Sequence, residues 1–538
     1  MMSSPFTSKL GTNYCPPDDE IAEIENLLAE PEVRLKCLDD EIASLQRSID
    51  ELEDERIRLR AYVEAHRALI SPIRRLPLDI IEEIFIACLP THRNCVMSAM
   101  EAPVILGRIC SWWRAISLST PRLWSRLHIV EPACPRNNPA IFEPMLVQRF
   151  EATRTWLSRS GNCPLSISLK CNYDQAGLTS TTPTHLIQAL LPFAPRWEHI
   201  TFSTFYSVLE SMSHLVEADV PMLKSIGIMQ ATPGLAVPWE SLGFLRAPAI
   251  HSFSIAGSSF RPLELPLSWE RLTDLSILEG WGSANRSLTS EMSLHLLASC
   301  PQLRICRLIV HTGPEISTTH REPVLELSFL HTLDLQCVGP LSTTFCQIFP
   351  RLLFPQLRHL KLRGNIKSVY VPETVYPGSV FRAAPRVQTI DINLQSFSKA
   401  SLAHFLRGLP PTLRELNIGD TQSPGGFHGF EKLLDDEILE LLIPSPACPA
   451  PGFPNLQVLE IKHGCVFSDA AVLRFIKLRM LKRVTIAFER DMQLDILAEL
   501  EPLVQNGLHL ELTYHPPEVC RFSPWQGLTD VSTLFQSH

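Results

Sequence analysis

The sequence predicts a multidomain chain: an N-terminal α-helical coiled coil, a small all-α domain, then an α/β repeat solenoid. Three observations carry this expectation. A seven-residue apolar repeat runs from Ile21 to Ile70. The stretch Cys110 to Trp124, "CSWWRAISLSTPRLW", gathers three of the nine tryptophans into a short helical segment. A phrase of the form aliphatic-x-x-aliphatic-x-aliphatic then returns, unit after unit, through the last four hundred or so residues. The expected boundaries are a disordered tail over 1–19, the coiled coil over 20–71, the small helical domain over 72–130, the solenoid over 140–515 and a C-terminal tail over 516–538.

Bulk composition narrows the classes of function. The 538 residues are 45% hydrophobic and 20% charged, an ordinary globular balance. No run approaches the roughly 18–20 apolar residues that span a bilayer, so no membrane partner is expected. The opening "MMSSPFTSKLGTNYCPPDDE" has no apolar h-region, so no secretory signal is expected either. The 15 cysteines include no C-x-x-C pair and no zinc-like Cys/His spacing. Reduced, mostly buried thiols in a cytoplasmic or nuclear protein fit that usage. Glu20 to Ile70 holds 14 acids and 7 bases, a charge of −7 out of −9 for the whole chain, which leaves −2 elsewhere. No basic domain remains to neutralise phosphates, which argues against a nucleic-acid partner.

In the first seventy residues Ile21, Leu28, Leu35, Ile42, Ile49, Arg56, Val63 and Ile70 occupy a positions, and Ile24, Pro31, Leu38, Leu45, Leu52, Leu59 and His66 occupy d positions. A sustained repeat of seven underwinds helices into a left-handed coiled coil. Ile or Val at a with Leu at d favours parallel two-stranded pairing. The expected dimer seam is Leu35, Leu38, Ile42, Leu45, Ile49, Leu52, Leu59 and Val63. Pro31 is expected to end or kink the helix, so the helix is expected to begin near Glu32. Between g and e′ positions Arg34 faces Asp39 and Glu55 faces Arg60, and no like-charged pair occurs from Arg34 onward. The alternative is one amphipathic helix lying on its own protein.

After Ser71-Pro72 the pattern changes. Leu76-Pro77 opens a helix on which Ile80, Ile81, Ile84, Phe85 and Leu89 recur at helical spacing. A second helix is expected through "PVILGRICSWWRAISLS", with Val104, Ile105, Ile109, Trp113 and Ile116 apolar. Two or three short helices cannot bury this many large side chains among themselves, so part of this surface is expected to face another protein. These residues resemble the F-box. Leu76, Pro77, Asp79, Ile80 and Ile81 match its opening, Ile84 and Leu89 the end of its first helix, Ile109 and Trp113 its hydrophobic–tryptophan spacing, and Leu123 and Trp124 its Leu-Trp pair. The resemblance spans Ile70 to Ile129 and is nearest to the F-box-like proteins of mushroom-forming fungi, whose "STPRLW" phrase stands at Ser119 to Trp124. It implies docking onto a Skp-type adaptor, and through it a cullin, by Leu76, Pro77, Ile80, Ile84, Leu89, Ile105, Ile109 and Trp113. Trp124 and Trp112 are expected to pack inside. The loop Thr91 to Ala102 is longer than in a standard F-box.

The repeated phrase places its first apolar residue at Trp197, Leu223, Ile250, Leu272, Leu303, Leu330, Leu357, Val387, Leu413, Leu456 and Leu481. A spacing near 26 residues reads as leucine-rich repeats, each a strand plus a helical or irregular return. Proline stands two residues earlier in eight of the eleven units, where it stops the return and favours an extended entry into the strand. Ser290, Ser398, Asp435 and Ser468 are expected helix N-caps. The strand over Leu165–Leu169 and another over Gly507–Tyr514 are expected to flank the array. The asparagine usual after the last strand aliphatic is replaced by Gln230, Gly257, Glu279, Gly364, Leu394, Asp420 and His463, with Cys337 alone fitting the rule, so the repeats are expected to be irregular.

Residues alternating with the buried aliphatics are expected to line the concave face. Early units supply Thr201, Ser225, Gly227, Ser252, Ser254, Asp274 and Ser276. Later units supply Arg307, Asp334, Lys361, Arg363, Asp391, Glu415, Glu460 and Lys462, the candidate substrate contacts. Their mixed signs fit a protein surface rather than a polyanion; the alternative is that they are ordinary solvated strand residues. No P-loop, G-x-G-x-x-G, H-E-x-x-H or G-x-S-x-G is present, and "SPGGFHGF" (Ser423 to Phe430) falls in the longest inter-repeat gap. The expected protein is therefore not an enzyme and needs no cofactor or metal. It is expected to be a substrate-recognition subunit of an SCF-type cullin ubiquitin ligase, or else a non-catalytic coiled-coil scaffold.

Overall fold

A computed structural model describes residues 4–132, 141–171, 184–204, 206–230, 239–257, 262–278, 288–311, 324–338, 348–365, 377–394, 397–419, 433–443, 454–488 and 490–514. Glu279, Asp420, the glycine-rich 423–430 segment and the tail 516–538 lie outside the described residues. The chain divides into two compact units, Met1–Ile84 and Phe85–His538.

In the first unit helix α1 spans Asp18–Leu69, 52 residues or roughly 78 Å at 1.5 Å per residue. It does not start near Glu32: Pro31 sits inside it. Proline there forfeits one i→i−4 bond, worth about 3 kcal/mol against alanine. The turns ahead of it are held from outside the helix. The tail over 4–12 is not disordered but coils into hydrogen-bonded turns, with Phe6 buried. Its Lys9 Nζ donates to both Glu20 carboxylate oxygens at 2.9 and 2.8 Å and lies 4.1 Å from the Tyr14 ring centroid. Tyr14 Oη donates to Glu20 at 3.1 Å. The expected seam residues, from Leu35 to Val63, are all solvent-exposed.

The second unit is an α/β solenoid. Fourteen strands form one parallel sheet in nearly sequential order, and residues 325–326 and 352–353 form a separate short pair. The strands are β1 (Arg126–Val130), β2 (Leu165–Lys170), β3 (Trp197–Thr204), β4 (Ser225–Gln230), β5 (Ser252–Ala256), β6 (Asp274–Leu278) and β7 (Ile305–His311). After β8 (Leu325–Glu326) come β9 (Thr332–Val338), β10 (Leu352–Leu353), β11 (His359–Asn365), β12 (Thr389–Asn393) and β13 (Glu415–Gly419). β14 (Val458–Cys465), β15 (Arg483–Phe488) and β16 (His509–Tyr514) close the array. All eleven residues expected to open a unit are buried. β1 was not expected: it begins inside the segment assigned to the small helical domain.

Strand register shows why the phrase works. Period-two alternation sends two aliphatics of each strand to one face. In-register stacking sets them in two continuous rows. One runs Leu127, Ile167, Ile200, Ile226, Phe253, Leu275, Cys306, Leu333, Leu360, Ile390, Leu416, Leu459, Val484 and Leu510. Returning segments cover these rows. Between Val216 and Arg271 they are 3-10 turns, whereas later units return through helices at Ser290–Ala298, Pro377–Ala383, Lys399–Arg407, Asp436–Glu440, Asp469–Leu478 and Leu497–Gln505. Ser398, Asp435 and Ser468 cap their helices as expected, each accepting from a backbone N–H three residues on. In the remaining case the cap is Thr289, one residue before Ser290. Phe405 packs between Phe381 and Phe397, at 5.7 and 5.3 Å between centroids.

The last strand is tied down by a buried carboxylate. Asp469, 1% exposed, accepts from Arg490 at 2.6 and 3.2 Å, from the Gln493 and Leu494 N–H groups at 2.8 Å each and from Tyr514 Oη at 2.9 Å. Phe488 and Tyr514 stack at 4.6 Å, with the Arg490 guanidinium over both rings. Burial pushes the Asp469 carboxyl up, but the bonds from Arg490, Leu494, Gln493 and Tyr514 outweigh it and hold it below the ordinary carboxylate value. Burial and the bond to Asp469 push Tyr514 up to about 12.

Two outcomes are expected. Phe405→Ala should cost about 3–5 kcal/mol in urea denaturation. Asp469→Asn should leave Arg490 without its charge partner, cost about 3–5 kcal/mol and raise hydrogen exchange at His509–Tyr514. A folded-state pKa below the unfolded value contributes stability above about pH 3.9, lost as pH falls through the folded value. The gap between parent and Asp469→Asn should therefore narrow under acid.

Candidate partner-binding surfaces

The segment expected to dock opens with Leu76, half-buried, and the exposed Pro77, whose carbonyl accepts from Ile81 N–H at 3.2 Å. Helix α2 (Leu78–Ala87) then divides its aliphatics by face. Ile81 and Phe85, four apart, are fully buried. Ile80 and Ile84, also four apart, are 45% and 37% exposed.

Within the second unit the expected single helix over 103–119 is two: α3 (Leu106–Ile109) and α4 (Ser111–Ser119). Cys110 breaks them with an extended backbone, and its Sγ accepts from Trp113 N–H at 3.4 Å, capping α4. The break changes which ring faces outward. Trp112 was expected inside but is 41% exposed, while Trp113, expected on the adaptor face, is half-buried with its ring 4.8 Å from Phe85. Of the other expected contacts here, Ile109 is 57% exposed, Ile105 half-buried and Leu89 buried at 7%. Trp124 is buried as expected. Its Nε1 donates to the Ser117 carbonyl at 2.7 Å and its ring meets Trp156 of helix α5 (Phe142–Arg159) edge-on at 4.8 Å.

The long loop after α2 has a structural task that the sequence did not disclose. It covers the outer edge of β1. Val96 bridges His128 in parallel, and the Cys95 carbonyl accepts from His128 N–H at 2.6 Å. Arg126 donates to the Pro90 and Arg93 carbonyls at 2.9 and 2.7 Å. Arg93 pairs with Glu101, which also accepts from Val96 N–H and is held below the ordinary carboxylate value chiefly by the Arg93 bond. Asn94 exchanges hydrogen bonds with Ser166 and Ser168, and Ser168 meets His128 Nδ1 at 2.8 Å.

On the sheet, the polar row between the two apolar rows runs His128, Ser168, Thr201, Gly227, Ser254, Ser276, Arg307, Asp334, Lys361, Asp391, Asn417, Glu460, Thr485 and Glu511. Five of the eight candidate substrate contacts stand in this row, namely Arg307, Asp334, Lys361, Asp391 and Glu460. Glu415 lies in the neighbouring row, paired with Thr389 and Val458, and Arg363 lies opposite Gln336. Most of these charges meet one another. Lys361 pairs with Asp391 at 2.6 Å, Arg363 with Asp334 at 2.5 Å, and Lys462 with Glu460 at 3.3 Å. Glu415 accepts from Asn417 at 3.1 Å. Arg307 is exposed. Asn393 was missed by the repeat rule because it stands one place before Leu394. It is buried, accepts from Gly364 N–H at 3.0 Å and donates to the Gly364 carbonyl at 2.9 Å, which bridges β11 and β12.

Cys95, Cys171, Cys300, Cys306, Cys337 and Cys465 are buried. Burial pushes Cys300 up to about 12, far from a reactive thiolate. Among the described residues no helix is long and apolar enough to cross a membrane.

No protein-family model matches this chain, and no curated protein matches it. Among solved structures it is similar to a chain of the Rad7 and Elc1 complex in yeast, with 12% identity over 61% of this chain and 87% of that one, at a TM-score of 0.32. It is also similar to a protein from Bacteroides fragilis, with 13% identity over 59% of this chain and 74% of that one, at a TM-score of 0.28.

Proposed function

We propose that the chain is the substrate-recognition subunit of an SCF-type cullin ubiquitin ligase, working in the cytoplasm or nucleus. The Leu76–Trp113 segment docks a Skp-type adaptor, and the polar face of the solenoid holds a protein substrate. The chain itself performs no catalytic step. One observation carries the reading: α2, opened by Leu76-Pro77, leaves the aliphatic pair Ile80 and Ile84 in water while Ile81 and Phe85 of the same helix are buried. An aliphatic stripe kept exposed on so short a helix is a protein-docking feature. Trp113 is better read as a ring that supports this segment through Phe85.

A second reading is a non-catalytic scaffold in which the F-box-like segment serves stability. The loop over 91–101 and Trp124 favour it, since both are built into the solenoid and its first strand. Adaptor capture separates the two. Full-length chain carrying Ile80→Asp with Ile84→Asp should lose a co-expressed Skp-type adaptor by about 30- to 1,000-fold, the usual weight of a central anchor. Equal capture by parent and variant at equal expression, or no capture by either, selects the scaffold.

The substrate surface makes a separate prediction. Reversing Lys361 and Arg363 together should weaken substrate capture and leave adaptor capture unchanged. Because both residues pair with neighbours, restoring the pairs with Asp391→Lys and Asp334→Lys should recover stability, and that cross-strand contribution should be about 1 kcal/mol or less per pair. Capture should stay lost if the row reads a partner.

A further inference from the structure

The heptad seam belongs to neither the docking segment nor the solenoid. We propose that α1 pairs with α1 of a second copy as a parallel, in-register, two-stranded coiled coil, and that each N-terminal tail prepares its own helix for that pairing. The inference is independent of the ligase reading.

The seam comes first. Leu35, Leu38, Ile42, Leu45, Ile49, Leu52, Leu59 and Val63 are all a or d residues, and all stand in solvent. So long a single-faced apolar stripe is stable only when covered. Ile and Val at a with Leu at d select two parallel strands. Because the helix runs unbroken from Asp18, Ile21, Ile24 and Leu28 extend the seam ahead of Pro31.

Charge agrees with the parallel orientation. In a parallel pair, each g residue faces the e′ residue five further on. Arg34–Asp39 and Glu55–Arg60 attract, and Glu41–Gln46, Ser48–Glu53 and Tyr62–Arg67 carry no like charges. An antiparallel pair that overlaps over residues 25–69, with Leu45 against Ile49, sets Glu41 against Glu55 and Asp39 against Glu53 instead. The extension through Pro31 creates one like-charged parallel pair, Glu20 with Glu25. Glu20 is the residue the tail engages: Lys9 supplies a cation to both carboxylate oxygens and Tyr14 a hydroxyl. The tail thus cancels the one repulsion that the longer helix introduces. Arg56, the charged a residue, is partnered by Glu53 of its own helix at 2.9 Å. A polar a position of this kind sets register at some cost in stability.

The test uses the full chain. Sedimentation at micromolar concentration and physiological salt should give twice 60.5 kDa. Ile42→Asp with Ile49→Asp should give a monomer whose solenoid unfolds at the parent's urea midpoint. Leu45→Cys should form an interchain disulfide on mild oxidation well above the parent's background, because d meets d′ only in the parallel register. Lys9→Glu should weaken the dimer by about two- to fivefold, the range of an exposed ion pair. A monomeric parent, a trimer or larger, a dimer that survives both seam substitutions, or a Leu45→Cys chain that stays uncrosslinked each overturns the proposal. Adaptor capture reads the ligase proposal separately, so the two fail independently.

Discussion

The second unit rests on one constraint: a parallel strand with two aliphatics on one face cannot bury them alone. Each needs a strand on either side, in register, and a return segment across the top. That requirement turns a six-residue phrase into a fourteen-stranded sheet with two unbroken apolar rows. It also creates two open edges with unpaired backbone groups, which natural sheets must protect. One edge is covered by the loop over 91–101, bridging Val96 to His128. At the other end Asp469 draws Arg490, two backbone N–H groups and Tyr514 onto one buried carboxylate, which ties the last strand to the unit before it. Asp469 is therefore among the most tightly held side chains described.

The same geometry dictates what the polar face can offer. In-register pairing places the middle residue of each strand beside its neighbours, at the strand spacing of about 4.8 Å. Like charges in adjacent units would repel, and the sequence alternates them: Arg307, Asp334, Lys361, Asp391. The resulting pairs serve the sheet. Recognition by such a face favours a partner whose own charges alternate, since a uniformly charged polymer would meet repulsion at every second strand.

Around Trp124 the small helical segment and the solenoid share a core. The indole bonds to Ser117 of α4, packs on Trp156 of α5 and lies under the Arg159 guanidinium. The short helices thus borrow burial from the α/β array, which is how so small a segment sustains its tryptophans. Ile109 and Trp112 of this segment stay exposed.

The sequence by itself determined the periodic features. Spacing of Leu, Ile and Val marked the repeat strands and helical returns and the apolar stripe of α1, because burial has the period of the backbone that carries it. Proline two residues before eight of the eleven phrases marked strand entries, and Ser398, Asp435 and Ser468 marked helix starts through local capping. Tertiary structure decided whatever depends on residues far apart in the chain. Pro31 stays within a helix whose first turns are held by Lys9 and Tyr14. Cys110 breaks α3 from α4, and that break exchanges the roles of Trp112 and Trp113. The loop over 91–101 read as an insertion, and only the position of β1 reveals it as an edge cover. The charges of the polar face read as candidate contacts singly, whereas their pairing needed the register of strands some thirty residues apart. Local periodicity names the face a residue occupies; only the packed neighbour decides whether that face meets solvent, a partner or the protein itself.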